Sequence, residues 1–388
     1  CRAVWLSAKS GNAKIQAMLL TELDVWNFRN LRGKVACGTG LNILLGKNGQ
    51  GKTNWLEAIN FLATGASFRT ARLAEAVAFG ENEAVVRGLV RQSAGVSREL
   101  TALVSGNTKL LSVNGKRVQL PIYREELHST VFNADSMEII RGGPEYRRQF
   151  LDESITAIYP PFVSTLADYA RIIRQKNALL HSAAEKGISE AEAAELIAPW
   201  NSQLIAIAGK IYRARQRIVE RINAELTKRP FSSESLAIRY RSSLEGKGDI
   251  EDYETLLQER LALRLRAEII NGHSLIGPHR DDLEIDINGY DARRFASAGQ
   301  QRTALLSLQI ANIEIFRAQR GEYPLFLIDD LDAELDFERI GRLLDYLEGK
   351  TQTFITTSKV AVAEAFGPKA AIFKVEKGLA LVSCTVTS

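Results

Sequence analysis

Gly46-Lys47-Asn48-Gly49-Gln50-Gly51-Lys52-Thr53 decides the reading of this chain. It fits the pattern Gly-x4-Gly-Lys-(Ser/Thr), and its flanks fit the same reading. Residues 41–45 (LNILL) form a short apolar run that the glycines stop, which predicts a buried strand. Residues 53–63 (TNWLEAINFLA) then place Trp55, Leu56, Ile59 and Leu62 at the spacing of an amphipathic helix. Glycines let such a loop curl into a nest of backbone N–H groups that face phosphate oxygens. The helix start adds its positive dipole end. In that arrangement Lys52 neutralises the β- and γ-phosphates and the Thr53 hydroxyl ligates Mg²⁺. Residues Gly46 to Thr53 therefore read as a site for ATP with Mg²⁺.

Far downstream, Leu325-Phe326-Leu327-Ile328-Asp329-Asp330 describes a buried strand that ends in carboxylates. Asp329 would hold Mg²⁺ directly or through water, and Asp330 would orient or deprotonate the attacking water. Thr53 and Asp329 are 276 positions apart. The site must then be assembled from the two ends of the chain, with the middle looped out. A third segment, Ser297-Ala298-Gly299-Gln300-Gln301-Arg302, opens a helix over 299–319. A Ser-x-Gly-Gln turn there is a second phosphate-binding device, and its use would be in trans, against the γ-phosphate held by a partner subunit. The alternative is an ordinary helix cap with Ser297 as capping residue.

Composition sets the frame. The chain has 388 residues, 45% hydrophobic and 25% charged, with a net charge of +4. Those are globular proportions, which exclude disorder and collagen, and the charge permits nucleic acid as a partner. Cys1, Cys37 and Cys384 form no Cys-x-x-Cys pair, which argues against a disulfide framework and a zinc site. A reducing, cytoplasmic location is the expectation. No apolar run approaches the ~20 residues needed to span a bilayer, so no membrane partner is expected.

Along the chain, residues 19–29 read as a strand and 84–120 as two or three antiparallel strands with an Asn114-Gly115 hairpin. Residues 153–228 and 251–270 carry helical periodicity, with Pro160-Pro161 and Pro199 as breaks. After them come a hairpin turning at Asn288-Gly289, the helix of 299–319, a helix over 337–348 and a strand over 353–356. The fold class is α/β, with a P-loop ATPase head from residues 18–150 and 271–388, an antiparallel β-subdomain, and a helical insertion over 151–270. Residues 1–17 are expected to be an upstream extension or cloning remnant. Trp26, Trp55 and Phe61 are expected in the core. Lys210, Arg213, Arg217 and Arg221 share one helix face, either as a phosphate-tracking stripe or as a solvated surface.

The order GKNGQGKT, SAGQQR, LFLIDD and Ala333-Glu334-Leu335-Asp336 resembles the ABC-type ATPase head of SMC-like proteins. Narrower features add to this: Phe28-Arg29-Asn30, Ser67-Phe68-Arg69-Thr70, Gly142-Gly143-Pro144 running on to Arg147-Arg148-Gln149-Phe150-Leu151-Asp152, and Gly277-Pro278-His279-Arg280-Asp281-Asp282. Together they are similar to the RecF family of bacterial recombination mediators, from about Met18 to the C-terminus. The resemblance implies a weak, DNA-dependent ATPase that dimerises on ATP and binds gapped DNA and single-strand–double-strand junctions. With RecO and RecR as partners it would support RecA loading, replication restart and the SOS response. By resemblance, Gly299 and Gln300 join Ser297 at the nucleotide, Arg69 stands near the γ-phosphate, and Asp336 belongs to an interface loop. The sequence departs from the pattern at Phe68, at Ala298, at Phe132-Asn133-Ala134-Asp135, and at Thr356-Thr357, where transporters carry a switch histidine. His279 and Arg280 would touch nucleotide or the partner subunit, or else hold a turn through hydrogen bonds. The competing functions are the ATP-hydrolysing subunit of an ABC transporter and a nucleotide-dependent scaffold without turnover.

Overall fold

The computed structural model describes residues 17–92, 95–228, 234–331 and 336–382. One sheet is antiparallel and comes from the first third of the chain. Its strands are β1 (Leu19–Phe28), β2 (Leu31–Ala36), β4 (Glu83–Arg91), β5 (Ser97–Ser105), β6 (Thr108–Val113) and β7 (Lys116–Arg117), in the order β2-β1-β4-β5-β6-β7. Asn114 and Gly115, both at positive φ, make the tight β6–β7 turn.

The second sheet draws on both ends of the chain. It contains β3 (Leu41–Leu45), β8 (Ser129–Phe132), β12 (Leu325–Ile328), β13 (Thr353–Thr357), β14 (Ala370–Glu376) and β15 (Leu379–Val382), in the order β15-β14-β3-β13-β12-β8. All pairings are parallel except that of β15. Leu325 and Leu327 of β12 enter one hydrophobic core, while Phe326 and Ile328 enter the other. Burial on both faces is why this strand reads as an unbroken apolar run.

Helix α1 (Lys52–Thr64) packs in the core between the two sheets, and every residue from Trp55 to Ala63 is buried. The expected amphipathic helix is thus a helix buried all round, because sheets cover it on opposite sides. Its buried polar residues are satisfied. Glu57 accepts from Arg29 and Ser67, and Asn60 donates to the Ala66 carbonyl and accepts from the Ser129 hydroxyl. Trp55 and Phe61 are core residues, but Trp26 is 59% exposed. Strand β1 alternates, and Val25 takes the inward position beside it.

Two single turns, α2 (Leu120–Tyr123) and α3 (Glu138–Arg141), precede the long helices α4 (Pro144–Ile158), α5 (Phe162–Lys186), α6 (Glu190–Leu226) and α7 (Tyr253–Asn271). Pro199 does not break the chain here; it lies inside α6. Burial of Ile197 and Leu204 on either side outweighs the backbone bond a proline removes. Within this helical stretch sits an unexpected strand, β9 (Leu236–Arg241), paired with β10 (Asp282–Ile287), which turns into β11 (Tyr290–Asp291). Only Ile238 of β9 is fully buried, and Arg239 and Arg241 pair across the strands with Glu284. Leu236, Ile238 and Tyr240 alternate with Ala237, Arg239 and Arg241, the period of a half-buried strand, inside a block expected to be helical.

The chain continues through α8 (Ala292–Phe295), α9 (Ala298–Arg320), α10 (Phe337–Leu347) and α11 (Val360–Phe366). One core joins the long helices, α9, α10 and the second face of the mixed sheet. Residues 1–16 of the expected extension lie outside the described residues. Ala17 is buried and bridged to Tyr323, whose carbonyl also accepts from Met18 N–H at 2.9 Å. Among the described residues no helix is long and apolar enough to cross a membrane.

Candidate nucleotide site

The loop from Gly46 to Thr53 leaves β3 and enters α1. Gly49 and Gly51 stand at φ 79° and 102°, a region open to glycine. Gly46 is needed for space, since a Cβ there would come within 2.5 Å of the Val375 carbonyl oxygen. Lys52 folds back over the loop, its ammonium donating to the carbonyls of Gly46 (2.7 Å) and Lys47 (3.0 Å). The helix start is left to an anion: its N-cap Gly51 supplies no side-chain cap, and its first turn holds no acid.

The sheet order places β13 between β3 and β12, and the side chains close the gap. Thr53 donates its hydroxyl to Asp329 Oδ1 at 3.0 Å. Thr356, at the end of β13, donates to the same oxygen at 2.7 Å and accepts the Asp330 N–H at 2.7 Å. Asp330 has φ 50°, a left-handed backbone rare for a residue with a side chain. The next residue of β13, Thr357, accepts the Gly46 N–H through its carbonyl at 3.3 Å. The end of β13 therefore ties the phosphate loop to the acidic pair.

A second brace was missed by sequence reasoning. In the β14–β15 turn, Lys377 N–H donates to the Gln50 side chain (2.8 Å) and Gly378 N–H to the Gln50 carbonyl (2.9 Å). Trp55 Nε1 donates to the Gly378 carbonyl at 3.1 Å. The Lys377-Gly378 pair between two apolar runs was the available turn signal. Arg69 is held at the first turn of α1, donating to Asn54 Oδ1 at 2.6 Å and standing 3.7 Å from Glu57. Beside it, Arg29, Asn30, Leu31, Arg32 and Phe79 line a groove of about 540 Å³.

Ser297 is the N-cap of α9 in a reciprocal capping box. Its Oγ accepts the Gln300 N–H at 3.2 Å, and Gln300 Oε1 accepts the Ser297 N–H at 2.7 Å. Gln300 also donates to Glu234 at 2.6 Å. Ser297 is nonetheless exposed and Gly299 half-buried, so the turn presents a surface as well as a cap. Ala333, Glu334 and Leu335 lie outside the described residues. Asp336 caps α10, accepting the Arg339 N–H at 2.9 Å. Asp135 is exposed, while Asn133 caps the turn after β8.

The two segments Gly142–Asp152 and Gly277–Asp282 prove to be one assembly. Arg147 makes a two-pronged ion pair with Asp282 (2.7 and 3.0 Å), and Arg148 donates to the Asp281 carbonyl at 2.8 Å. Arg215 of α6 pairs with Asp152 through two 2.8 Å bonds and donates to the Pro278 carbonyl. Burial opposes the charge on Arg215, but Asp152 holds its pKa above the ordinary value. Burial pushes Asp281 up, against hydrogen bonds from Tyr240 and Ser243. His279 sits 2.7 Å from the Tyr169 hydroxyl and is lowered by burial to about 4, so it is neutral. Arg280 donates to the Ser274 carbonyl. His279 and Arg280 thus hold a turn. Lys210, Arg213, Arg217 and Arg221 are all exposed on α6, with Arg213 2.7 Å from Glu254.

The RecF/RecN/SMC N terminal domain model matches residues 19–380. Relatives narrow this further: the DNA replication and repair protein RecF of Halothermothrix orenii is 33% identical over 373 residues, covering 93% of this chain and 98% of that protein. The chain belongs to the RecF family. RecF of Thermosynechococcus vestitus is 36% identical over 378 residues, covering 95% of this chain and 98% of its own. A solved structure of the recombination mediator protein RecF with ATP, in the RecFOR pathway, superposes with a TM-score of 0.86 at 33% identity, covering 97% of this chain and 100% of that one. An SMC head solved with the C-winged helix domain of ScpA matches at a TM-score of 0.53 and 16% identity, over 94% of this chain and 97% of that one, and supports the head fold alone. This RecF-type mediator is therefore built on the SMC-like ABC ATPase head, as the order of its motifs implied.

Proposed function

We propose that this RecF-family chain binds ATP with Mg²⁺ at the Gly46–Thr53 loop, dimerises on it, and hydrolyses it slowly to reset a DNA-bound mediator. The observation that carries the reading is the meeting of Thr53 and Asp329 at 3.0 Å. Two cis ligands of an octahedral Mg²⁺ with bonds of about 2.1 Å stand about 3 Å apart. These two oxygens fit that requirement, with phosphate and water left to complete the shell. The bound cation would supply charge neutralisation at the β- and γ-oxygens.

In this reading the loop amides and Lys52 hold the phosphates. Lys52 trades its contacts with the Gly46 and Lys47 carbonyls for phosphate oxygens. Asp330 accepts a proton from the attacking water. Arg69 reaches the γ-phosphate from the first turn of α1. Ser297, Gly299 and Gln300 complete the site of a partner copy, and Asp336 faces the same interface. The head would comprise residues 18–150 and 271–388, and the block of 151–270, which contributes β9 to the pairing with β10, would be carried on it. DNA would be gapped or junction DNA, RecR and RecO the protein partners, and DNA would stimulate the weak hydrolysis. Size-exclusion chromatography with and without ATP, repeated with short gapped DNA, tests this. An elution volume that ATP does not change would refute the dimer switch.

A further inference from the structure

The geometry points to Thr356 as the positioning residue that ties the metal-binding carboxylate of Asp329 to Asp330. The inference rests on the roles proposed above for those two acids. Thr356 is buried, and its hydroxyl has one proton to give. That proton goes to Asp329 Oδ1 at 2.7 Å, which leaves a lone pair facing the Asp330 N–H, also at 2.7 Å. The result is a directed chain from the Asp330 amide through the Thr356 hydroxyl to the Asp329 carboxylate.

Each end of this chain has a consequence. At Asp329, the same Oδ1 accepts from Thr53 and Thr356. When the Thr53 oxygen turns a lone pair to a cation, its hydrogen bond to Asp329 must readjust, whereas the Thr356 bond need not. Thr356 then keeps the carboxylate aimed at the cation position. At Asp330, the backbone stands at φ 50°, which an L-residue adopts only when something holds it there. The bond from its N–H to Thr356 Oγ1 does so, and it fixes the direction in which the Asp330 side chain leaves the strand. Thr357 adds the third connection by accepting the Gly46 N–H. A hydroxyl at position 356 is thus needed for geometry, and a methyl group cannot replace it.

The test compares Thr356→Ser with Thr356→Ala in the full chain, since the two differ only in the hydroxyl and share any loss of packing. Thr356→Val serves as a third, isosteric variant. Two quantities are read: steady-state ATP hydrolysis, and Mn²⁺ affinity in the presence of a non-hydrolysable ATP analogue, followed by electron paramagnetic resonance. Thr356→Ser should stay within about threefold of the unsubstituted chain in both. Thr356→Ala and Thr356→Val should lose roughly 10- to 100-fold in kcat, the scale of a misplaced catalytic group, and should weaken Mn²⁺ binding. Metal-free nucleotide affinity should not change. If Ala and Ser behave alike in both readouts, Thr356 is not a positioning residue. Asp329→Asn and Asp330→Asn are run alongside. If those leave metal binding and hydrolysis intact, the assignment of the acids fails, and the inference about Thr356 falls with it for that separate reason.

Discussion

Thr53 and Asp329 share a 3.0 Å hydrogen bond although 276 positions separate them. The sheet explains how. β3 and β12 are brought into one parallel sheet by β13 between them, so the last residue of the phosphate loop and the residue after β12 emerge on the same edge. Such an edge, beyond the carboxyl ends of parallel strands, is where open α/β sheets bind ligands.

Lys52→Met should weaken ATP binding without unfolding the chain. The ammonium is the side-chain cation that the loop curls around, and a charged hydrogen bond contributes about 1.5–3 kcal/mol. Titration with a fluorescent ATP analogue should show a loss of roughly ten- to a hundredfold. Unchanged affinity would remove Lys52 from the phosphates.

Asp330→Asn should keep ATP and metal bound while slowing hydrolysis by roughly 10²- to 10⁴-fold, the contribution of a general base. An amide can orient a water but cannot take its proton. The backbone bond to Thr356 survives the change, because it comes from the main chain. Single-turnover hydrolysis measures the step directly, and an unaltered rate would exclude Asp330 as the base.

Most of this site was legible from spacing, because the phosphate loop and the carboxylate strand each carry a local pattern. What the sequence hid was the material between and around them. Thr356 and Thr357 read as part of a strand, and nothing local says that their oxygens bridge two distant motifs. Strand β9 does alternate apolar and charged residues, but it is six residues long, it lies between long helical stretches, and its partner β10 is far along the chain. Trp26 misled because an aromatic residue in a strand has two faces available, and the bulge beyond Val25 does not show in the sequence. Gly142–Asp152 and Gly277–Asp282 read as two separate segments, and nothing local says that Arg147 pairs with Asp282 or that Arg148 donates to the Asp281 carbonyl.

Arg215→Met should be costly. Arg215 is buried with Asp152 and the Pro278 carbonyl as partners, and removing one member of a buried ion pair typically costs about 3–5 kcal/mol. Urea unfolding should show a shifted midpoint. The double variant Arg215→Met, Asp152→Leu should recover part of the loss, since no unpaired carboxylate remains. Equal midpoints for the unsubstituted chain and Arg215→Met would contradict the buried network.

Stability should fall on acidification between about pH 6.5 and pH 4. Burial, reinforced by Arg280, Lys176 and Arg148, lowers His279 from 6.5 to about 4. In that window the unfolded chain binds a proton at this position and the folded chain does not, so folding weakens as pH drops. His128, lowered by burial to about 3, acts in the same direction. His279→Gln should make the profile shallower, since Gln does not titrate, and the His128 contribution should remain. Unfolding midpoints at pH 7 and pH 4.5 measure this, and an identical slope in the variant would rule out His279 as a source.

Ser297→Arg separates two uses of one residue. The capping box is present, with Ser297 Oγ accepting the Gln300 N–H and Gln300 Oε1 accepting the Ser297 N–H. Loss of that cap should cost about 1 kcal/mol and lower the melting temperature slightly. If capping is the whole role, ATP-dependent association survives the change. In the proposed dimer, however, Ser297 lies against the γ-phosphate of the partner's ATP. An arginine there is several ångströms longer than serine and cannot be withdrawn into the helix, because Ser297 is exposed at its very start. The two heads would then be held apart. The variant should fold, bind ATP through its own Gly46–Thr53 loop and stay monomeric, and its hydrolysis should drop because each site lacks the other subunit's turn. Light scattering with ATP gives the mass directly. Ser297→Ala is the control, since it removes the cap without adding bulk. A dimer for Ser297→Ala and a monomer for Ser297→Arg is the expected pair of results. Dimers for both would confine Ser297 to its own helix.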